Sequence, residues 1–285
     1  MVDAFDSFPE WWSDTLAPAH DVALWEAFHA ARWPELLRKQ IRSYEEDGFD
    51  WREVARDKVL PYLAERLPDM SAARGRLLKI GPGVYDAARC TIGIDFDVVF
   101  VIYTGIGVGA SWATTYEAAP ACLFGLENIA ELGWGAEDTL AGLCAHELGH
   151  LAHQHWRALD GLPHGSGPLW RLYEEGFAMR CEHAVAGREA WHEQAGWPGW
   201  LEWCAAHKGQ LARELLLRVE QGADAREFFG SWYEVHGCKQ CGYYLGHELV
   251  KRLEAEMSAR PLVTLPCAEV EARMRAGLRA MEAVG

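Results

Sequence analysis

The sequence predicts an α+β protein, mostly helical, with a small sheet set between two helical stretches. Three observations predict it. Apolar residues recur at helical spacing through the first 75 residues, a β-branched and aromatic run occupies 98–103, and helical patterning returns after about residue 136. The chain has 285 residues, of which 50% are hydrophobic and 24% charged, enough to bury a substantial core and too apolar for a disordered chain.

In chain order, residues 21–40 carry Val22, Leu24, Trp25, Phe28, Trp33, Leu36 and Leu37 close to a 3.6-residue period, and 51–67 repeats the style with Val54, Val59, Leu60 and Leu63. Gly48 and Pro68 punctuate these segments. Residues 1–75 are therefore expected to form an N-terminal helical region, and 76–285 the main domain. From 92 to 97 the pattern alternates. The run Val98-Val99-Phe100-Val101-Ile102-Tyr103 follows, then Gly105, Gly107 and Gly109, and residues 121–126 form another short apolar stretch. These predict strands with glycine-rich connections. Asp138 or Thr139 starts a helix that runs to about 159, with a Gly/Pro loop at 161–168 and a second helix over 169–185. Further helices are expected near 200–220, 224–235 and 240–258. There is no βαβ alternation. The Gly105–Gly109 stretch lacks the GxGxxG spacing, so dinucleotide binding is not expected.

The formal net charge of −15 repels phosphate backbones and anionic membrane surfaces, and no Lys/Arg cluster reverses it locally. Neither nucleic acid nor membrane is an expected partner. The N-terminus has no basic stretch followed by an apolar run, and no segment has the length of a membrane span. A soluble, cytoplasmic protein is expected, with its eight cysteines mostly reduced and its 14 tryptophans mostly in the core.

Chemistry concentrates at His146-Glu147-Leu148-Gly149-His150. Four residues of helix turn the chain by about 400°, which brings the two imidazoles to within about 40° of each other, one turn apart. Both can reach one ion, while Glu147 lies on the same side and can reach a water there. This is the HExxH zinc arrangement with Glu147 as general base. Leu140, Leu143, Leu148 and Leu151 give the helix an apolar face, beside which a His-Glu-His stripe needs a metal or partners.

A catalytic zinc takes a third protein ligand and keeps an open position. The metzincin pattern would place Gly three and His six residues after His150. Those positions are His153 and Trp156, so that route is closed. The other route is a carboxylate on the next helix. Glu174-Glu175-Gly176-Phe177-Ala178 supplies it, 25 positions on (175 − 150) and beyond a loop that can turn the chain back. Glu175 is the expected ligand and Glu174 the alternative. Gly176 and Ala178 would let the two helices approach closely.

HExxH followed by Glu-Gly-x-Ala resembles the gluzincin zinc peptidases. With Gly242-Tyr243-Tyr244-Leu245-Gly246 it is most similar to the bacterial family of predicted Zn-dependent proteases, over roughly residues 90–260. The resemblance implies a Zn²⁺-dependent metallopeptidase acting on a peptide or protein. Tyr243 would donate to the oxyanion, with Tyr244 adjacent and His236 as a rival, and Glu127 of Gly125-Leu126-Glu127-Asn128 is a weaker candidate to hold a substrate amine. A strand within 98–126 could offer an edge to an extended peptide. The alternative is a catalytically inactive zinc-binding or regulatory protein of the same fold. Endo- and aminopeptidase activity are not separated by the sequence, and oligomeric state is not read from it.

Other features stand outside that scheme. Cys238-Lys239-Gln240-Cys241 is either a redox pair, half a metal site that Cys204 and His207 would complete if the fold brought them close, or incidental thiols. His153 and Glu182 are possible supports for zinc ligands, and Cys181 is expected to pack near them.

Overall fold

Val99–Tyr103 is apolar on every side chain, and the strand it forms is covered on both faces, as a central parallel strand requires. The computed structural model describes residues 1–13, 21–230 and 232–283. It is an α+β protein, mostly helical, with one mixed sheet of four strands: β1 (Val2–Asp3), β2 (Val99–Tyr103), β3 (Ser111–Tyr116) and β4 (Ala119–Gly125). Their order is β1-β2-β4-β3, with β1, β2 and β4 parallel and β3 antiparallel to β4. The helices are α1 (Phe8–Trp11), α2 (Val22–Arg32), α3 (Pro34–Glu46), α4 (Trp51–Val54), α5 (Leu63–Thr91), α6 (Leu126–Glu131), α7 (Glu137–Leu159), α8 (Pro168–Ala186), α9 (Trp200–Gln221), α10 (Cys241–Glu254), α11 (Ala259–Val263) and α12 (Cys267–Glu282). Among the described residues no helix is long and apolar enough to cross a membrane.

The chain divides into two compact units, one of residues 1–86 and 95–144, the other of 87–94 and 145–285. The expected boundary at 75–76 falls inside α5, and the sheet belongs with the N-terminal helices. Pro68 and Pro82 both lie within that helix. Each removes one backbone hydrogen bond, a loss that 29 residues of helix with Met70, Ala73, Leu77 and Val84 buried along one face can carry.

In the first unit, Leu36 of α3 packs on Val101, Tyr103, Ala121 and Leu123 of the sheet. Strand β3 was not read from the sequence, and 92–97 forms no strand. β3 and β4 meet in a two-residue hairpin, Glu117-Ala118, whose residues have φ of 49° and 65°. That is the handedness of a type I′ turn, formed here without Asn or Gly. The buried carboxylate of Glu127 accepts from the amides of Gly105 (2.6 Å) and Gly107 (3.1 Å). Each of its oxygens thus holds the glycine-rich loop, which gives this weaker candidate for amine binding a structural role. Burial lifts this carboxyl to about 7.

In the second unit, α8 packs against α10 at Gly176 and Gly246. A Cβ on Gly176 would strike the Gly246 carbonyl, and a Cβ on Gly246 would meet the Leu172 carbonyl and the Gly176 amide. Gly176 therefore serves the α8–α10 contact, not the approach of α8 to α7 expected from the sequence. That approach belongs to Gly149, whose Cβ would lie 3.1 Å from Ala178 Cα and 2.8 Å from Cys181 Cβ. The expected helix over 224–235 is reduced to one short turn at Arg226–Phe228 and a bridge between Val235 and Cys238. Buried Arg157, on the last turns of α7, donates to the carbonyls of Pro163, Val263 and Leu265.

Because backbone cannot move aside as a side chain can, Gly246→Ala is expected to lower unfolding free energy by about 3 kcal/mol. Gly75→Ala, in α5 with nothing within 4 Å of the added Cβ, should instead raise it by about 0.5–1 kcal/mol. Urea denaturation of the two variants checks both signs.

Candidate metal centre

Helix α7 carries His146, Glu147 and His150, and α8 brings Glu175 against them. The imidazole nitrogens His146 Nε2 and His150 Nε2 are 3.1 Å apart, and Glu175 Oε2 lies 3.2 Å from the first and 3.1 Å from the second. Hydrogen bonding alone does not explain a nearly equilateral triangle of this size. Two imidazole nitrogens supply at most one N–H each along these edges, so at least one edge holds no hydrogen bond when both N–H groups turn to the carboxylate. A common cation satisfies all three. Tetrahedral zinc with ligands at about 2.0–2.1 Å spaces them about 3.3–3.4 Å apart, close to the observed edges. The donor set fits zinc in its chemistry as well as its spacing: two imidazoles and one carboxylate, with room for a further ligand.

His146 is buried (3% exposed), whereas the side chains of His150 and Glu175 keep 15% and 12% of their surface. The trio is therefore open on the His150–Glu175 side. A cavity of about 540 Å³ touches the trio at Glu175 alone and is lined also by Glu174, Trp170, Arg171, Asp224, Arg226 and Phe229. Arg171 lies 3.7 Å from Glu175 Oε1, the oxygen facing away from the imidazoles.

Burial pushes His146 down to about 3, keeping it neutral as a ligand must be. Burial also opposes charge on His150, but Glu175, then Glu147 and Glu174, outweigh it and hold that imidazole at about 9. Burial would raise Glu175, yet the two histidines hold it well below the usual carboxylate range.

Glu174, the alternative ligand, pairs with His164 (3.2 Å) and lies 3.5 Å from His153. His153 is buried among Trp170, Tyr173 and Phe177, where burial holds its imidazole neutral. Cys181 packs where α8 crosses Gly149. Tyr243 lies with its ring 5.7 Å from that of His146. Tyr244 turns away to stack on Trp191. The rival His236 is exposed and bonds to Glu214 and Gln210, both on α9, so its side chain is engaged away from the trio. Burial, then the charge of Glu175, raises the Tyr243 hydroxyl well above its ordinary pKa and keeps it protonated.

Sequence reasoning missed His192. Its ring stands 5.2 Å from His146 and 6.3 Å from Tyr243. Glu182 holds it at both ends, accepting from its backbone amide (3.1 Å) and lying 2.7 Å from Nδ1. Glu182, expected beside a zinc histidine, lies close to His146 and is bonded to His192. His146, Glu182 and His192 also form a buried trio within ligand distance, but there the carboxylate is already paired with the ring. Buried Glu193 lies 3.6 Å from His192 Nε2; burial raises its carboxyl. His192 follows α8 on an irregular connection, where no periodicity marks a residue. The one available signal was buried Glu182, which needed a partner.

No protein-family model, curated protein or solved structure matches the chain.

The proton on His150 must leave when a cation binds. Because that imidazole titrates at about 9 in the metal-free site, zinc affinity is expected to rise about tenfold per pH unit below that value and to level off above it, with one proton released per ion. Calorimetric titration in buffers of different ionisation enthalpy measures this release. A pH-independent affinity would contradict the assignment.

Proposed function

We propose that this chain is a zinc-dependent metallopeptidase, a hydrolase of peptide bonds. The observation that carries this reading is the triangle of His146, His150 and Glu175 with Glu147 on the same helix. Zinc held there would act as a Lewis acid, polarising a carbonyl and making water more acidic. Glu147, buried at 5% exposure with its charge acting on His150, His192 and Tyr243, takes the proton of the attacking water as general base. Tyr243, kept protonated by burial, donates to the carbonyl oxygen as negative charge grows on it. Burial opposes charge on His192, but Glu193, then Glu182, outweigh it and hold that imidazole at about 9, a buried cation beside His146 and Tyr243. The cavity beside Glu175 is large enough for a short stretch of peptide; its two arginines are paired with carboxylates of the same lining, Arg171 with Glu175 and Arg226 with Asp224.

The net charge and the eight free thiols support a cytoplasmic enzyme whose substrates are peptides or proteins and not nucleic acids.

Glu147→Gln is expected to keep its zinc and lose turnover on a peptide library by at least about a hundredfold. Glu175→Ala should lose the ion of this centre, read by elemental analysis as one zinc per chain fewer than the wild type. Zinc bound by the wild type without chelator-sensitive hydrolysis of any peptide would favour the catalytically inactive zinc protein of the same architecture.

A further inference from the structure

Cys204-Ala-Ala-His207 lies on α9, and Cys238-Lys-Gln-Cys241 leads into α10. On a helix, residues three apart share a face, so Cys204 and His207 project together. The second pair sits in a turn of defined shape. Val235 and Cys238 exchange both backbone hydrogen bonds (2.8 and 3.0 Å) around His236-Gly237, whose φ values are 53° and 78°. Gln240, also left-handed at 56°, then swings the chain into α10, with Cys241 as its first residue. Trp200 of α9 donates its indole N–H to the Lys239 carbonyl at 2.9 Å, which ties the turn to the helix. Three non-regular conformations in five residues, all without a large apolar side chain, need something to hold them.

The fold brings the thiols together. Cys204 Sγ and Cys238 Sγ are 3.7 Å apart, and Cys238 also bonds to Cys241. All three are fully buried. Thiolates at about 2.3 Å from a tetrahedral zinc sit about 3.8 Å apart, which is the Cys204–Cys238 spacing. His207 is prepared in the same way as a metal-binding histidine. Its ring stacks on Trp203 (4.1 Å, 17°), and its Nδ1 lies 2.8 Å from the Trp203 carbonyl. With Nδ1 as the donor, Nε2 keeps its lone pair. His207 lies near enough to Cys238 to act on it electrostatically.

We propose that Cys204, His207, Cys238 and Cys241 bind a structural zinc ion that fastens α9 to the start of α10. Three thiolates and one imidazole have the composition of a structural site with no open position, and on binding an ion Cys241 and His207 would close on the Cys204–Cys238 pair. A disulfide would use two of the thiols and leave the third and the imidazole unexplained. The site shares no residue with the His146 centre and stands whether or not that centre hydrolyses peptides. It sets the first turn of α10, and so the approach of Tyr243, two residues beyond Cys241.

Cobalt exchange of the full-length wild type tests this, because the His146 centre has no sulfur donor. A thiolate-to-cobalt charge-transfer band is expected in the near-ultraviolet, with elemental analysis of the zinc form giving two ions per chain. His146→Ala/His150→Ala should keep one zinc and the band, and Cys238→Ala should lose both the band and one zinc. A wild type that takes up cobalt without any thiolate band would overturn the proposal, even if the cysteine variant fails to fold. So would a chain purified without reductant that is two hydrogens lighter, with Cys204 linked to Cys238.

Discussion

The C-terminal unit is organised around a carboxylate that cannot leave its two imidazoles. Glu175 is mostly shielded from water, and its ionised form persists because His146 and His150 face it. A buried charge of this kind is tolerated only when it is paired or binds a metal. The demand reaches outward. α8 must lie close enough to α7 for the carboxylate to reach, which makes Gly149 obligatory at the crossing, and α8 must present its opposite side to α10 through Gly176. Two glycines, one in each recognisable motif, thus serve different helix contacts while positioning the same three ligands.

The polar groups around this centre are arranged in pairs. Glu182 immobilises His192 and Glu174 pairs with His164, while Arg171 approaches the outer oxygen of Glu175. The first two pairings engage Glu182 and Glu174 elsewhere, so that among the glutamates on α8 only Glu175 points to both imidazoles. A negatively charged chain has many carboxylates that could bind metal weakly. Committing the neighbours is how one of them is singled out.

How much was legible beforehand follows from how local each signal is. The spacing of His146, Glu147 and His150 is a property of helix geometry, and α7 and α8 end within a residue or two of where the pattern predicts. Glu175 was legible because its helix had to return. His192 was not, since its placement depends on a connection without periodicity. β3 was hidden for a different reason: the Glu117-Ala118 turn adopts a left-handed backbone with residues that do not advertise it. α5 was cut short in the reading because Pro68 normally ends a helix, whereas here tertiary burial of Met70 and Leu77 carries the helix past it. Tyr243 and Tyr244 could be separated only when the side of α10 that meets Trp191 was known.

Arg157 has a bearing on how the chain is made. Its guanidinium is buried at the end of the helix that carries the histidines, and the carbonyls of Val263 and Leu265 that receive it lie 106 and 108 residues later. A ribosome delivers those carbonyls long after the arginine. Until they emerge, the positive charge has the Pro163 carbonyl and the face of Trp170 to meet it, and the end of α7 lacks two of its acceptors. A chain truncated before residue 263 would carry His146, His150 and Glu175 and still lack the carbonyls that close the helix presenting two of them.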